Sequence, residues 1–129
     1  MNENEVGTTV VQAAISIHQD LGPGLLESVY ELVLDHELRH RGLHTKRQMA
    51  IPIEYAGIRF DEGFRADIIV EDKVIVELKS VEEVTAAHKK QLLTYLRLTG
   101  MRLGYLLNFG AALMKEGITR IVNGLPEGP

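Results

Sequence analysis

The sequence contains no cysteine, and this absence excludes several classes of protein. A chain without cysteine can form no disulfide framework, no thiolate metal site and no cysteine nucleophile. No apolar run approaches the ~20 residues that a membrane-spanning helix requires, so we expect no membrane segment. The acidic N-terminus, Met1 to Glu5, lacks the pattern of a signal peptide, and the expected location is therefore the cytoplasm.

An excess of positive charge is also absent, because the formal net charge is −4 at pH 7. This value argues against a protein that coats nucleic acid by charge alone. It leaves room for an enzyme that acts on nucleic acid, because metal-binding carboxylates contribute to the negative count. One local stretch is basic, and it contains Arg39, Arg41, Lys46 and Arg47. We interpret this basic stretch either as a solvated helix end and loop or as an edge that contacts phosphate.

The length and apolar content predict one domain that spans residues 1–129. Apolar spacing predicts amphipathic helices over about residues 5–20 and 25–40. Further apolar segments predict strands and one more helix, namely strands over about 48–55, 64–70, 74–79 and 103–109, with a helix from 82 or 83 to 98. A short strand around residues 118–122 and a C-terminal tail over residues 124–129 complete the prediction.

The predicted order of elements is α-α-β-β-β-α-β. The helix before the last of these strands forms a crossover, so that strand can lie parallel to a strand of the preceding hairpin. The predicted fold class is therefore α/β, with a mixed central β-sheet flanked by helices.

The hairpin formed by the second and third strands carries three charged residues that we expect to meet. Its polar turn is centred on Asp72, and symmetric pairing about this residue places Asp67 opposite Glu77. Directly opposed residues have Cβ atoms about 4.5–5.5 Å apart. Side chains alternate along a strand, so Lys79 projects to the same side as Glu77 and Asp67.

The remainder of both strands is apolar on both faces, which is typical of central strands covered on both sides. Charged residues are rarely buried in such strands unless they are paired. Ionisable residues at these positions therefore indicate a site. The alternative is structural, with Lys79 neutralising Glu77 in an ordinary ion pair.

Two opposed carboxylates repel one another, and a divalent cation between them would remove the repulsion. Hard cations such as Mg²⁺ favour carboxylate oxygens and keep several waters, which leaves room for phosphate and an attacking water. The pair Asp67 and Glu77 therefore predicts a magnesium site.

This order of elements, with Asp67 on one strand and Glu77-Leu78-Lys79 on the next, resembles the PD-(D/E)xK nuclease superfamily. The stretch from Gly24 to Tyr30 is similar to the signature of its GxxExxY protein family. The resemblance covers roughly residues 6–123 and implies a restriction-endonuclease-like core. One departure is Ala66, which stands where the proline of the superfamily name precedes the aspartate. That proline is not a ligand.

The resemblance implies that Asp67 and Glu77 bind Mg²⁺ or Mn²⁺ and that Lys79 assists hydrolysis. It also suggests Glu27 and Gln91 as accessory site residues. Glu27 lies in the first turn of its helix, where the dipole favours an anion, so helix stabilisation is the alternative role. Gln91 could orient a water or a ligand, or it could simply be a polar position near the sheet edge.

We therefore expect a Mg²⁺- or Mn²⁺-dependent phosphodiesterase that acts on DNA or RNA. One alternative is a non-catalytic module that binds nucleic acid or protein on the nuclease scaffold. Another is a structural homodimer subunit whose charged cluster is only an internal ion network. A homodimer also suits the nuclease, because one small domain offers little surface with which to grip a duplex.

Overall fold

The computed structural model describes residues 1–126. The elements in chain order are α1 (Glu3–Leu21), α2 (Glu27–His40), β1 (Thr45–Tyr55), β2 (Ile58–Val70), β3 (Val74–Lys79), α3 (Ala86–Thr99), β4 (Leu103–Asn108), α4 (Met114–Gly117) and β5 (Ile118–Val122). Residues 127–129 of the predicted C-terminal tail lie outside the described part of the chain.

The predicted α/β class and the order α-α-β-β-β-α-β are confirmed. The strands form a five-stranded mixed sheet in the order β1-β2-β3-β4-β5. Because α3 carries the chain across the sheet, β3 and β4 are parallel, whereas the other neighbouring pairs are antiparallel. The segment around residues 118–122 forms β5 as predicted. Within residues 1–126, no helix has the length and apolar character needed to cross a membrane.

Two apolar cores cover the two faces of the sheet. The first core lies under α1 and α2 and includes Leu34 and Val76. The second core lies under α3 and includes Ile75 and Leu92. Neighbouring residues of β3 therefore enter opposite cores, and Val74 to Leu78 are all buried. This double coverage explains why four of the six residues of β3 are apolar, on both faces of the strand.

Helix α3 begins later than the sequence predicted. Its N-cap is Thr85, whose hydroxyl accepts the His88 N–H at 3.2 Å, while His88 Nδ1 accepts the Thr85 N–H at 3.1 Å. This reciprocal cap satisfies two backbone donors that the first turn would otherwise leave free. The predicted start at residue 82 or 83 is wrong because the cap, and not the preceding acidic pair, fixes the first turn.

The alternation of side chains in β2 is broken at Asp67. Ile68 belongs to the core under α1 and α2, whereas Ala66 belongs to the core under α3. Both residues have even numbers, so a regular strand would place them on the same face. The opposite position of β1 is Gln48, which has a left-handed backbone with φ of 51°. In both strands of the β1–β2 hairpin, the side chains therefore exchange faces of the sheet at the level of Gln48 and Asp67.

Strand β2 also separates from β3 at this level. Their antiparallel ladder has three pairs and ends at Ile68 and Val76, whereas the pairing of β1 with β2 continues to Tyr55 and Ile58. The outer part of the β1–β2 hairpin thus diverges from the sheet. The divergence leaves β2 and β3 unpaired beyond Ile68 and Val76, and we call this gap in the ladder the opening; Asp67, Glu77 and Lys79 lie beside it.

Candidate active site

The predicted register of the β2–β3 hairpin is observed, with Ile69 paired to Ile75. The ladder stops one position before Asp67. The Asp67 Oδ2 atom instead accepts a hydrogen bond from the backbone N–H of Leu78 at 2.9 Å. This contact fixes the Asp67 carboxylate against the β3 backbone, between the positions of Glu77 and Lys79.

Glu77 is the most perturbed carboxyl group of the site. Glu77 is only 8% exposed, and its Oε1 atom has no hydrogen-bond partner within residues 1–126. Burial raises the pKa of Glu77 to about 9, the Asp67 carboxylate adds to the rise, and the Lys79 ammonium opposes it. Glu77 therefore keeps its proton at neutral pH as long as no cation lies beside it.

The donor atoms of the pair fit a hard divalent cation. Asp67 and Glu77 supply carboxylate oxygens, and the buried Glu77 Oε1 is an acceptor that lacks a donor. Within residues 1–126, no group of three or more His, Cys, Asp or Glu side chains is placed to hold a metal ion. Two carboxylates are nevertheless sufficient for Mg²⁺, which commonly takes one or two from the protein and completes its shell with water and phosphate.

Lys79 is half-buried at the end of β3, and its charge acts on Glu77. Its carbonyl accepts the Phe109 N–H at 2.8 Å, which ties this end of β3 to the residue after β4. No ion pair or hydrogen bond to the ammonium is formed within residues 1–126, so the alternative of a close Lys79–Glu77 ion pair is not observed. The ammonium can therefore approach a bound anion.

Helix α3 closes one side of the carboxylate pair with Tyr95. Its ring stacks on Phe64 of β2, with ring centroids 3.7 Å apart and planes at 5°. Burial raises the pKa of the Tyr95 phenol, and the charges of Glu77 and Asp67 raise it further. Gln91 lies one turn earlier on the same helix and is exposed, and within residues 1–126 no hydrogen bond joins it to the carboxylates.

Glu27 is the first residue of α2 and is also exposed. It lines a shallow groove together with Ser80, the residue that follows Lys79. The Ser80 hydroxyl donates a hydrogen bond to the Leu25 carbonyl at 3.0 Å and so tethers the start of α2 to the end of β3. Glu27 thus lies near the candidate site but makes no hydrogen bond to Asp67 or Glu77 within the described chain.

Two residues that the sequence did not single out adjoin the site, Gln48 by direct contact with Asp67 and Glu31 through Gln48. Glu31 is buried on α2, and the Gln48 amide donates a hydrogen bond to Glu31 Oε1 at 2.7 Å and a longer one to Asp67 Oδ1 at 3.4 Å. The Arg47 guanidinium binds Glu31 Oε2 at 2.9 and 3.1 Å. The signal for Glu31 was its spacing, four residues after Glu27 and next to the buried Tyr30. No local pattern marked Gln48.

The basic stretch carries little free positive charge. Each of its four cations binds a carboxylate, in the pairs Arg39–Asp35 at 3.2 Å, Arg41–Glu37 at 2.8 Å, Lys46–Asp72 at 2.9 Å and Arg47–Glu31 at 2.9 Å. These contacts favour the interpretation as a solvated, ion-paired surface over that of a phosphate-contacting edge.

Comparison with known proteins gives one match, which is to a family model. No curated protein and no solved structure matches the chain significantly. The family model described as the PD-(D/E)XK nuclease superfamily matches residues 4–121, which include both carboxylates and Lys79. A match of this extent, together with the observed fold, means that the chain belongs to the PD-(D/E)XK nuclease superfamily.

Proposed function

We propose that this protein is a Mg²⁺- or Mn²⁺-dependent phosphodiesterase that cleaves DNA or RNA. One observation supports it above all. The carboxylates of Asp67 and Glu77 lie close enough to act on one another where β2 leaves β3, and the Glu77 Oε1 atom is buried without a partner within residues 1–126. Within the superfamily, we assign the chain to the GxxExxY family on the motif from Gly24 to Tyr30.

Asp67 and Glu77 would hold the cation in this proposal. A bound divalent cation supplies Lewis acidity toward a phosphate oxygen and the attacking water. Asp67 is held in place by the Leu78 N–H, so its carboxylate does not need to reorient for binding. Glu77 would hold the cation as a carboxylate, because a nearby positive charge would reverse the electrostatic preference for the neutral acid.

Lys79 stabilises the negative charge that develops on the phosphate in the transition state. Its ammonium is not held in an ion pair within the described chain, and it lies on the strand that carries Glu77. A cation aimed at developing charge in a partly dry site lowers the barrier more than it would in water. Glu27 and Gln91 are proposed as accessory residues that orient water or substrate.

A second candidate is a non-catalytic module that binds nucleic acid or protein. It is favoured by the small donor set, since among residues 1–126 no group of three or more His, Cys, Asp or Glu side chains could hold a metal ion, and the exposed Gln91 makes no hydrogen bond to the carboxylates there. In that case the protein would bind its partner without a divalent cation and without turnover.

The test is cleavage of plasmid DNA, single-stranded DNA and RNA in the presence of Mg²⁺ or Mn²⁺. The wild type is compared with Asp67→Asn and Lys79→Met. Matched controls are Asp61→Asn, an exposed carboxylate of the same strand, and Lys90→Met, an exposed lysine of α3. Circular dichroism verifies that all four variants are folded.

We expect Asp67→Asn and Lys79→Met each to reduce the rate about 100-fold or more, as for other residues that stabilise transition-state charge. The two control variants should cleave like the wild type. Equal cleavage by the wild type and both site variants would assign the activity to a contaminant. Tight, metal-independent binding without turnover would favour the second candidate.

A further inference from the structure

We infer that Gln48 is a positioning residue, which holds the Asp67 carboxylate in the orientation that a divalent cation requires. The inference rests on the proposed function. It concerns a residue of β1 that contributes no charge and that no sequence pattern marks as part of the site.

The backbone of Gln48 is in a conformation that glutamine rarely adopts. Its φ of 51° lies in the left-handed region, in the middle of a strand that continues on both sides. A non-glycine residue persists there only when its surroundings compensate the cost, and such residues concentrate at functional sites. Gln48 lies between the pairs Arg47–Ile68 and Met49–Ala66, so it faces Asp67 across the ladder.

The side chain of Gln48 bridges two carboxylates. Its amide nitrogen donates to Glu31 Oε1 at 2.7 Å and toward Asp67 Oδ1 at 3.4 Å. An amide nitrogen carries two N–H groups, so both contacts are made by one atom. The orientation of the amide follows from this chemistry, because the opposite flip would place its oxygen against two acceptors.

The far end of the bridge is firmly anchored. Glu31 is 6% exposed, its Oε1 is bound by Gln48, and its Oε2 is bound by the Arg47 guanidinium at 2.9 and 3.1 Å. Both oxygens of Glu31 are thus engaged and its charge is compensated. This makes Glu31 an anchor on α2 rather than a ligand for a cation.

Both oxygens of Asp67 are consequently contacted, Oδ2 by a short hydrogen bond and Oδ1 by a longer one. Oδ2 accepts the Leu78 N–H at 2.9 Å, and Oδ1 receives the Gln48 amide. Two contacts on opposite oxygens define the plane of the carboxylate, while each oxygen retains a lone pair. The free Oε1 atom of Glu77 is the buried acceptor on the other side of the opening. The bridge therefore prepares one ligand in advance, and the loss of such a partner typically lowers metal affinity by about 10–100-fold.

The experiment measures Mn²⁺ affinity by electron paramagnetic resonance of the free ion, with inorganic phosphate present and absent. The main variant is Gln48→Gly, which removes the amide and accepts a positive φ without strain. The matched control is Ala56→Gly, which relieves a similar φ of 53° in the hairpin turn, outside the candidate site. A second variant, Gln48→Asn, keeps an amide that tolerates this backbone but is one methylene too short to reach both carboxylates.

We expect Gln48→Gly to raise the Mn²⁺ dissociation constant about tenfold or more while its Tm is unchanged or higher. Gln48→Asn should show a smaller rise, and Ala56→Gly none. Wild-type affinity in a folded Gln48→Gly or Gln48→Asn variant overturns the inference and leaves the proposed function intact. A wild-type protein that binds no Mn²⁺ under either condition overturns the proposed function, and the inference with it.

Discussion

The Asp67 carboxylate accepts the backbone N–H of Leu78 at 2.9 Å, one step beyond the end of the β2–β3 ladder. A side chain here takes the place of the strand partner that β2 no longer provides. The contact satisfies a donor of a buried residue and at the same time fixes the position of a charged group. Asp67 therefore contributes both to the stability of the fold and to the candidate site. Variants of Asp67 have to be assessed for folding as well as for activity.

Glu77→Gln should stabilise the metal-free protein at alkaline pH. The pKa of Glu77 is raised from 4.5 to about 9, so the folded state keeps the proton while the unfolded state loses it. The contribution of this group to stability is complete below about pH 4.5 and falls as the pH rises toward about 9, by at most about 1.4 kcal/mol per pH unit. Glutamine keeps the neutral form at every pH.

Urea denaturation with EDTA at pH 5 and pH 8.5 measures this difference. The free energies of unfolding of wild type and Glu77→Gln should differ little at pH 5 and diverge at pH 8.5, with the variant the more stable. Glu62→Gln, an exposed carboxylate of β2, serves as the control. The same pH profile for wild type and Glu77→Gln would contradict the assigned burial of the charge.

Mn²⁺ should raise the Tm of the wild type at pH 8. A ligand that binds only the folded state stabilises it by about 2.7 kcal/mol at 100 times its dissociation constant. The shift should be lost in Asp67→Asn and Glu77→Gln and retained in Asp61→Asn, because only the first two variants remove a carboxylate at the opening. An equal shift in all four proteins would indicate a cation site elsewhere.

Glu27→Gln separates the two roles considered for that residue. If Glu27 orients water or substrate, cleavage should fall by about 100-fold, the size of effect that a lost positioning contact can have. If it only stabilises the start of α2, the free energy of unfolding should fall by about 0.3–1 kcal/mol with unchanged cleavage. We expect the first result, since Glu27 lines a groove with Ser80 beside Lys79. Paired cleavage and denaturation assays decide between them.

Arg47→Met should destabilise the fold, because it leaves the Glu31 carboxylate buried without its cation. We expect a loss of about 1–3 kcal/mol, the usual cost of an unsatisfied buried group. The double variant Arg47→Met with Glu31→Met should recover much of it, because no unpaired charge remains. Arg59→Met, which breaks an exposed pair, should cost less than about 1 kcal/mol. No recovery in the double variant would contradict the proposed anchoring by this pair.

The sequence was sufficient for the central hairpin because two strong signals agreed there. The apolar runs on both sides of Asp72 required strands buried on both faces, and the short polar turn fixed their register. The predicted direct pairing of Asp67 with Glu77 is not part of that ladder, which ends at Ile68 and Val76, and Asp67 instead accepts the Leu78 N–H. The predicted start of α3 was wrong for a different reason. Thr85 is the N-cap, but a nearby acidic pair also suits the first turn of a helix.

The Gln48 bridge could not be predicted because it depends on tertiary contacts. Glutamine has no preference for a left-handed backbone, so no residue type in β1 indicates the position at which its side chains exchange faces of the sheet. The bond from Gln48 to Glu31 joins residues 17 positions apart, on a strand and on a helix. Only after α2 has packed against the sheet do the two carboxylates lie within reach of one amide.

The ion pairs of the basic stretch have a consequence for how a polyanion would approach. Arg39, Arg41, Lys46 and Arg47 each already have a carboxylate partner, so few condensed counterions would be released from a nucleic acid that touched this surface. Association through this surface should then depend only shallowly on ionic strength, because few of its cations are free to replace the counterions of the polyanion.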